Sequence, residues 1–260
     1  MQTKRTSITD TDPYKLVCLD ASLNDKSFEI FKKQPAYKAN LEHVPYKQGL
    51  VYLDYIKKNL KEFPEFLEKF QENDQYGNPD IYAYDVGYFS PTTLRYIKVI
   101  TEIQTLLGNM KGKKIIEIGV GYGGQAFITN ALYGETDYSL VDLPEVLQLT
   151  DKYLNKLGVK SHRIINIEDV EKLDEDFDLI ISNYAFSELT REVQDIYLNK
   201  IIKRSKHGYI TFNFITHVFG LTAHSKEEII DILKDKDIKM IKEDNSGYQY
   251  NDNGNFICYW

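Results

Sequence analysis

The sequence predicts an α/β fold: a mostly parallel sheet with helices on both faces, preceded by a helical cap. Three observations predict it. From Lys113 onward, short apolar runs alternate with amphipathic stretches, the grammar of strand–helix–strand units. Before Lys113 the apolar residues fall instead at helix-face spacing. A glycine-rich turn joins the first apolar run to the first amphipathic stretch, where open sheets of this class take their ligands.

Taken in order, residues 1–26 are polar and are expected to be ordered only in part. Residues 27–73 read as helical, with Tyr52, Tyr55, Ile56, Leu60 and Phe63 on one face and Phe66, Leu67 and Phe70 on another; Pro64 should interrupt them. Residues 74–90 read as an aromatic loop. Ser90 then caps a helix that opens on Pro91, carries Leu94, Ile97, Ile100, Ile103 and Leu107, and stops at Gly108. Strands are predicted at 115–118, 138–141, 163–167, 177–182, 209–215, 238–241 and 256–260. Helices are predicted at 123–133, 144–157, 190–205 and 225–236, the last opened by a Ser225/Glu228 capping box. No helical signal separates the final two strands, so they are expected to form a hairpin. This divides the chain into a polar segment (1–26), a helical cap with its aromatic loop (27–110) and a sheet domain (111–260).

Composition excludes several functions. The 260 residues carry a net charge of −7, which argues against a general electrostatic grip on nucleic acid. No apolar run approaches the roughly 18 residues of a membrane helix, so membrane insertion is not expected. The polar first residues are not followed by an apolar signal segment, which reads as a cytoplasmic protein. The two cysteines, Cys18 and Cys258, show no metal spacing and are expected to be reduced structural thiols. The 20 tyrosines fit an aromatic, sugar-friendly surface, but equally a genome whose codons favour Tyr, Lys, Ile and Asn. No oligomeric state is fixed by the sequence, and a homo-oligomer is compatible with it.

The first strand runs into Glu117-Ile-Gly119-Val-Gly121-Tyr-Gly123-Gly124. Glycines here let the backbone turn sharply and approach a ligand at a helix start. Gly119, Gly121 and Gly124 satisfy the dinucleotide pattern GxGxxG. Read from Glu117, the same run resembles the first motif of methyltransferases that depend on S-adenosylmethionine (SAM), which place an acid near the cationic amino-acid end of SAM. Three features favour the second reading. A carboxylate at Glu117 would repel a diphosphate. The loop opens only after a long N-terminal region. Asp142 ends the second strand, where a carboxylate can accept both ribose hydroxyls of adenosine.

Further motifs sharpen the resemblance. Gly119–Gln125, then Val141-Asp-Leu-Pro-Glu145, then Asn183-Tyr-Ala-Phe-Ser-Glu-Leu189, then His207-Gly-Tyr-Ile-Thr-Phe-Asn213, with Ser90-Pro-Thr-Thr-Leu-Arg-Tyr96 before them, resemble the sugar O-methyltransferases of bacterial surface-glycan gene clusters. The resemblance spans about residues 85–220. It implies a seven-stranded, Rossmann-like SAM-methyltransferase sheet and transfer of a methyl group to a hydroxyl of a nucleotide-linked or polysaccharide-borne sugar. It further implies a cofactor set of Glu117, Gly119, Gly121, Gly123, Gln125, Asp142, Leu143, Ile167 and Asn183. The fourth strand lacks the paired prolines that many DNA and protein amino-methyltransferases carry after their Asn or Asp.

A sugar hydroxyl is a poor nucleophile at neutral pH, so a general base is expected. His217 follows the fifth strand at its carboxyl end and is the first candidate; Glu188, after the fourth strand, is either the base or the group that orients it. Tyr88, Arg95 and His224 are expected to contact substrate, with Arg95 holding the cofactor carboxylate or a substrate phosphate. His43 and His162 look structural. Clustered carboxylates for a metal are not evident, and Asp252 reads as part of a hairpin turn. Three other functions stay open: methylation of a different small molecule, a nicotinamide-linked oxidoreductase, and a non-catalytic SAM-fold subunit.

Overall fold

The computed structural model describes residues 5–248 and 254–260. The segment read as polar and partly ordered is largely a helix, α1 (Asp12–Leu23), whose Tyr14, Cys18 and Ala21 are buried. Pro13 sits in its first turn, where a missing N–H costs nothing. The cap continues through α2 (Asp25–Phe28), α3 (Pro35–Asn40), α4 (Tyr46–Asn59) and α5 (Phe63–Gln71). Pro64 lies at the start of α5, so the break it predicts falls just before it. The aromatic loop contains a two-stranded hairpin, β1 (Tyr82–Tyr84) with β2 (Gly87–Phe89), turned through Gly87 at φ +126°.

Helix α6 (Pro91–Leu107) links cap to sheet. The Ser90 hydroxyl accepts from the Thr93 amide, and Gly108 ends the helix at φ +90°. Every residue from Pro91 to Ile103 is buried, because α4 packs on the side that periodicity left polar. Charges caught there are paired: Lys98 bonds Glu102 at 2.5 Å, and the Tyr209 hydroxyl donates to the same carboxylate. Lys32 is buried too. Its Nζ lies 3.9 Å from the Tyr122 ring centre and donates to the Asn73 carbonyl, which ties the cap to the sheet's helices.

The sheet follows as β3 (Lys114–Ile118), α7 (Gly124–Tyr133), β4 (Asp137–Asp142), α8 (Pro144–Lys156), β5 (His162–Asn166), β6 (Phe177–Asn183), α9 (Arg191–Tyr197), β7 (Ser205–Phe212), α10 (Lys226–Ile232), β8 (Lys239–Lys242) and β9 (Phe256–Tyr259). Its strand order is β5-β4-β3-β6-β7-β9-β8. The first five of these strands are parallel, and β9 runs antiparallel to both β7 and β8. The seven-stranded, Rossmann-like expectation therefore holds, including the terminal antiparallel pair. Chain order reverses between β3 and β6, and such a switch point opens a crevice beyond the strands' carboxyl ends. Both cysteines are free and buried. Asp252 lies outside the described residues. Among the described residues no helix is long and apolar enough to cross a membrane.

Candidate active site

A cavity of about 500 Å³ lies over that crevice, within the size range of small-molecule sites. Its sheet side is built largely of backbone. Gly119 turns at φ +79°, and a Cβ there would stand 2.0 Å from that of Ala185 on the loop after β6. Gly121 turns at φ +56° beneath Leu41 of the cap. Only glycine combines these angles with these approaches. Asp142 is anchored by two amides, Gly121 at 3.2 Å and Leu143 at 2.7 Å. Burial nevertheless pushes its carboxyl up to about 6. Leu143 and Ile167 give apolar wall. Asn183 ends β6 with a buried side-chain amide nitrogen that has no hydrogen-bond partner. A buried orphan donor lining a cavity marks a place where a ligand completes the bonding.

The structure thus brings Gly119, Gly121, Asp142, Leu143, Ile167 and Asn183 together, and leaves three expected cofactor residues outside. Glu117 shares a sheet face with Ile115 and Tyr138, whereas its neighbour Ile118 lines the cavity, as strand alternation requires. Tyr138 donates to Glu117 at 3.0 Å, and burial pushes this carboxyl up to about 8. Its repulsion of a diphosphate consequently has no force. Gly123 caps α7 at φ +88° against Thr150 and Leu154, and the Gln125 amide is spent on the Tyr96 carbonyl.

The loops after β6 and β7 add side chains to the lining. Glu188 is mostly buried against the cavity, with its carboxyl raised by burial; the Asn213 amide donates to it at 2.6 Å. Ser187 in turn donates to the Asn213 carbonyl oxygen at 3.0 Å, fixing which way that amide faces. The loops carrying these groups are strained. Tyr184 (φ +69°) and Phe214 (φ +47°) adopt left-handed backbone just beyond β6 and β7. Such positions cost about 1–3 kcal/mol each and concentrate at functional sites. The Tyr184 hydroxyl donates to Glu243.

Three predicted residues fall elsewhere. His217 sits on a 3-10 turn (Thr216–Phe219) that directs it to solvent; its ring nitrogen meets the Phe214 carbonyl, and only Ile215 and Phe219 nearby reach the cavity. His224 is buried beside α9, bonded to Asp195 at 2.7 Å, and serves packing. Tyr88 is on the solvent face of its hairpin, 68% exposed, while Phe89 points inward. Arg95 does line the cavity, from the second turn of α6.

Conversely, three contributors were missed. His43 lines the cavity from the cap, held neutral at about 4 by burial and by the charge of Arg95. An arm of residues 6–9 closes one side; its Ile8 amide donates to the Glu188 carbonyl at 3.0 Å, and Thr190 donates to Thr6 at 2.9 Å. Asn245, Tyr248 and Asn255 enter from the β8–β9 connection. No periodicity or motif marks any of them; a lone histidine between two short helices was the only signal. Among the described residues, no group of three or more His, Cys, Asp or Glu is placed to hold a metal ion.

No family model matches the sequence, and no curated protein does. Solved structures resemble its fold. A SAM-dependent methyltransferase of Aquifex aeolicus shares 21% identity over 63% of this chain and 87% of its own, with a TM-score of 0.46. A phosphoethanolamine N-methyltransferase of Haemonchus contortus, solved with S-adenosyl-L-methionine, shares 15% identity over 74% of this chain and 46% of its own, with a TM-score of 0.47. Likenesses this distant assign neither ligand nor substrate to the present chain.

Proposed function

We propose that this protein is a SAM-dependent O-methyltransferase acting on a sugar hydroxyl. The observation that carries the proposal is the presence, within one cavity, of a backbone cradle ending in Asp142 and a mostly buried carboxylate, Glu188. The residues present fit the cofactor. Asp142 retains carboxylate lone pairs beyond its two amide bonds and can accept from a ribose diol. Leu143 and Ile167 provide an apolar berth for an adenine, and the orphan Asn183 amide offers a donor.

When bound, SAM supplies an electrophilic methyl group and retains the sulfur electron pair as it departs. What remains for the protein is to place the acceptor, exclude water and remove one proton. Glu188 takes the hydroxyl proton as the oxygen–carbon bond forms, and Asn213 holds its carboxylate in position. The cap and the N-terminal arm keep water out. Of the asparagines lining the cavity, Asn183 keeps an unpartnered amide nitrogen and Asn255 an unpartnered carbonyl oxygen, a donor and an acceptor suited to hydroxyl-rich ligands. The motif resemblance at 183–189 and 207–213 supports a sugar in the same place.

The test is turnover. Purified protein, SAM and a panel of nucleotide sugars should give a product heavier by one methyl group, with NMR locating it on oxygen. Methylation of nitrogen, or of non-sugar acceptors alone, would contradict the proposal.

A further inference from the structure

We infer that the cavity contains an oxyanion subsite centred on Arg95, and that the acceptor carries a phosphate or carboxylate group. This rests on the methyltransferase reading for what the ligand does there, but the subsite stands on its own geometry.

Arg95 is 6% exposed, lines the cavity, and leaves its buried Nε without a hydrogen-bond partner. Among the described residues no carboxylate forms an ion pair with it, whereas Lys98, one turn further along α6, bonds Glu102. Its surroundings are phenols: the Tyr96 ring centre is 5.5 Å from the guanidinium carbon, and Tyr184, Tyr52 and Tyr248 lie within electrostatic reach. Glu42 senses it, but burial pushes that carboxyl up to about 7 and Lys32 acts on it more strongly than Arg95 does. That carboxyl is no dedicated counter-ion. Tyr96 supplies a neutral hydrogen-bond partner but no counter-charge, and a guanidinium buried without a counter-ion is unfavourable unless a ligand supplies the missing charge. The planar fork suits phosphate and carboxylate alike.

Arg95 enters from α6, and its neighbours lie both in the cap and at Tyr184 on the loop after β6; the acceptor assignment rests on the proposed reaction, and S-adenosylhomocysteine binding separates acceptor from cofactor. Arg95 acts on His43 and Glu42 of the cap, and also on Tyr184 and Tyr248 of the sheet domain. Asp142, at the cradle, is governed by burial and its own backbone amides. Neutral His43 beside Arg95 adds a hydrogen-bonding group without a second positive charge. The subsite therefore grips a singly or doubly charged oxyanion beside Arg95 and His43.

Calorimetry on the full chain separates the outcomes. Wild type should bind UDP more tightly than uridine, or glucuronate more tightly than glucose; the first preference assigns a phosphate, the second a carboxylate. Arg95→Gln should erase that preference, weakening the charged member by about tenfold or more, the effect of one charged hydrogen bond. Arg95→Lys should keep part of it. S-adenosylhomocysteine should bind wild type and Arg95→Gln equally. Melting supplies the folding control: Arg95→Gln should melt no lower than wild type, and should lose the stabilisation that pyrophosphate gives wild type. Absence of any charge preference in wild type would overturn the inference. So would a variant that loses only S-adenosylhomocysteine, which would assign Arg95 to the cofactor. Failure of wild type to bind S-adenosylhomocysteine would instead strike the methyltransferase reading and leave the anion result to be judged separately.

Discussion

Two parts of the cavity lining are made by different means. The cradle is backbone, drawn from one stretch between Gly119 and Leu143, and its key angles are glycine angles. The rest of the lining is side chains: His43 and Arg95 from the cap, and Glu188, Asn213, Asn245 and Tyr248 from the sheet domain, converge from segments far apart in the chain. A backbone cradle is rigid and ligand-generic. A side-chain wall can be rewritten residue by residue without disturbing the fold, which is how one sheet serves many acceptors.

Substitution at the side-chain lining should separate chemistry from cofactor binding. Glu188→Gln should lower the rate of methyl transfer by about 10²–10⁴-fold, the usual worth of a general base. Its affinity for S-adenosylhomocysteine, measured by calorimetry, should hold. His217→Asn should leave turnover near wild type, because that side chain points to solvent. Reversal of these two results would return the base to His217. Because burial raises the Glu188 carboxyl, activity should fall on acidification through a value above that of an ordinary glutamate, near 4.3.

A smaller effect tests the acid that the structure removed from the cofactor set. Glu117 titrates near 8 in the fold and near 4.5 unfolded, so between those values the folded state holds the extra proton. Stability should therefore be full at the acid end and decline as pH rises from about 4.5 to 8, by an amount on the order of a few kcal/mol. Glu117→Gln should flatten that decline, read from denaturant midpoints across pH, and should leave cofactor affinity unchanged. Loss of S-adenosylhomocysteine binding in this variant would return Glu117 to the cofactor site.

What the sequence disclosed follows the same division. Strand–helix alternation announced all seven strands, since apolar period and glycine turns are local properties. The cradle was legible for the same reason, through Gly119, Gly121 and Asp142. Glu117 misled because motif spacing does not say which sheet face a strand residue takes; alternation turned it toward Tyr138. His217 misled because a single 3-10 turn decided its direction. His43 and the arm at residues 6–9 were hidden because they reach the cavity only through tertiary packing, which no short-range pattern encodes.

In the proposed function the cradle holds SAM through Asp142. Calorimetric titration of S-adenosylhomocysteine into wild type and Asp142→Ala, with NAD(H) as the competing ligand, tests it most directly. The expected result is binding to wild type, a loss of about 10- to 100-fold in a folded Asp142→Ala variant as a charged acceptor disappears, and no binding of NAD(H). Equal affinity in both proteins, or binding of NAD(H) in place of S-adenosylhomocysteine, would contradict the account.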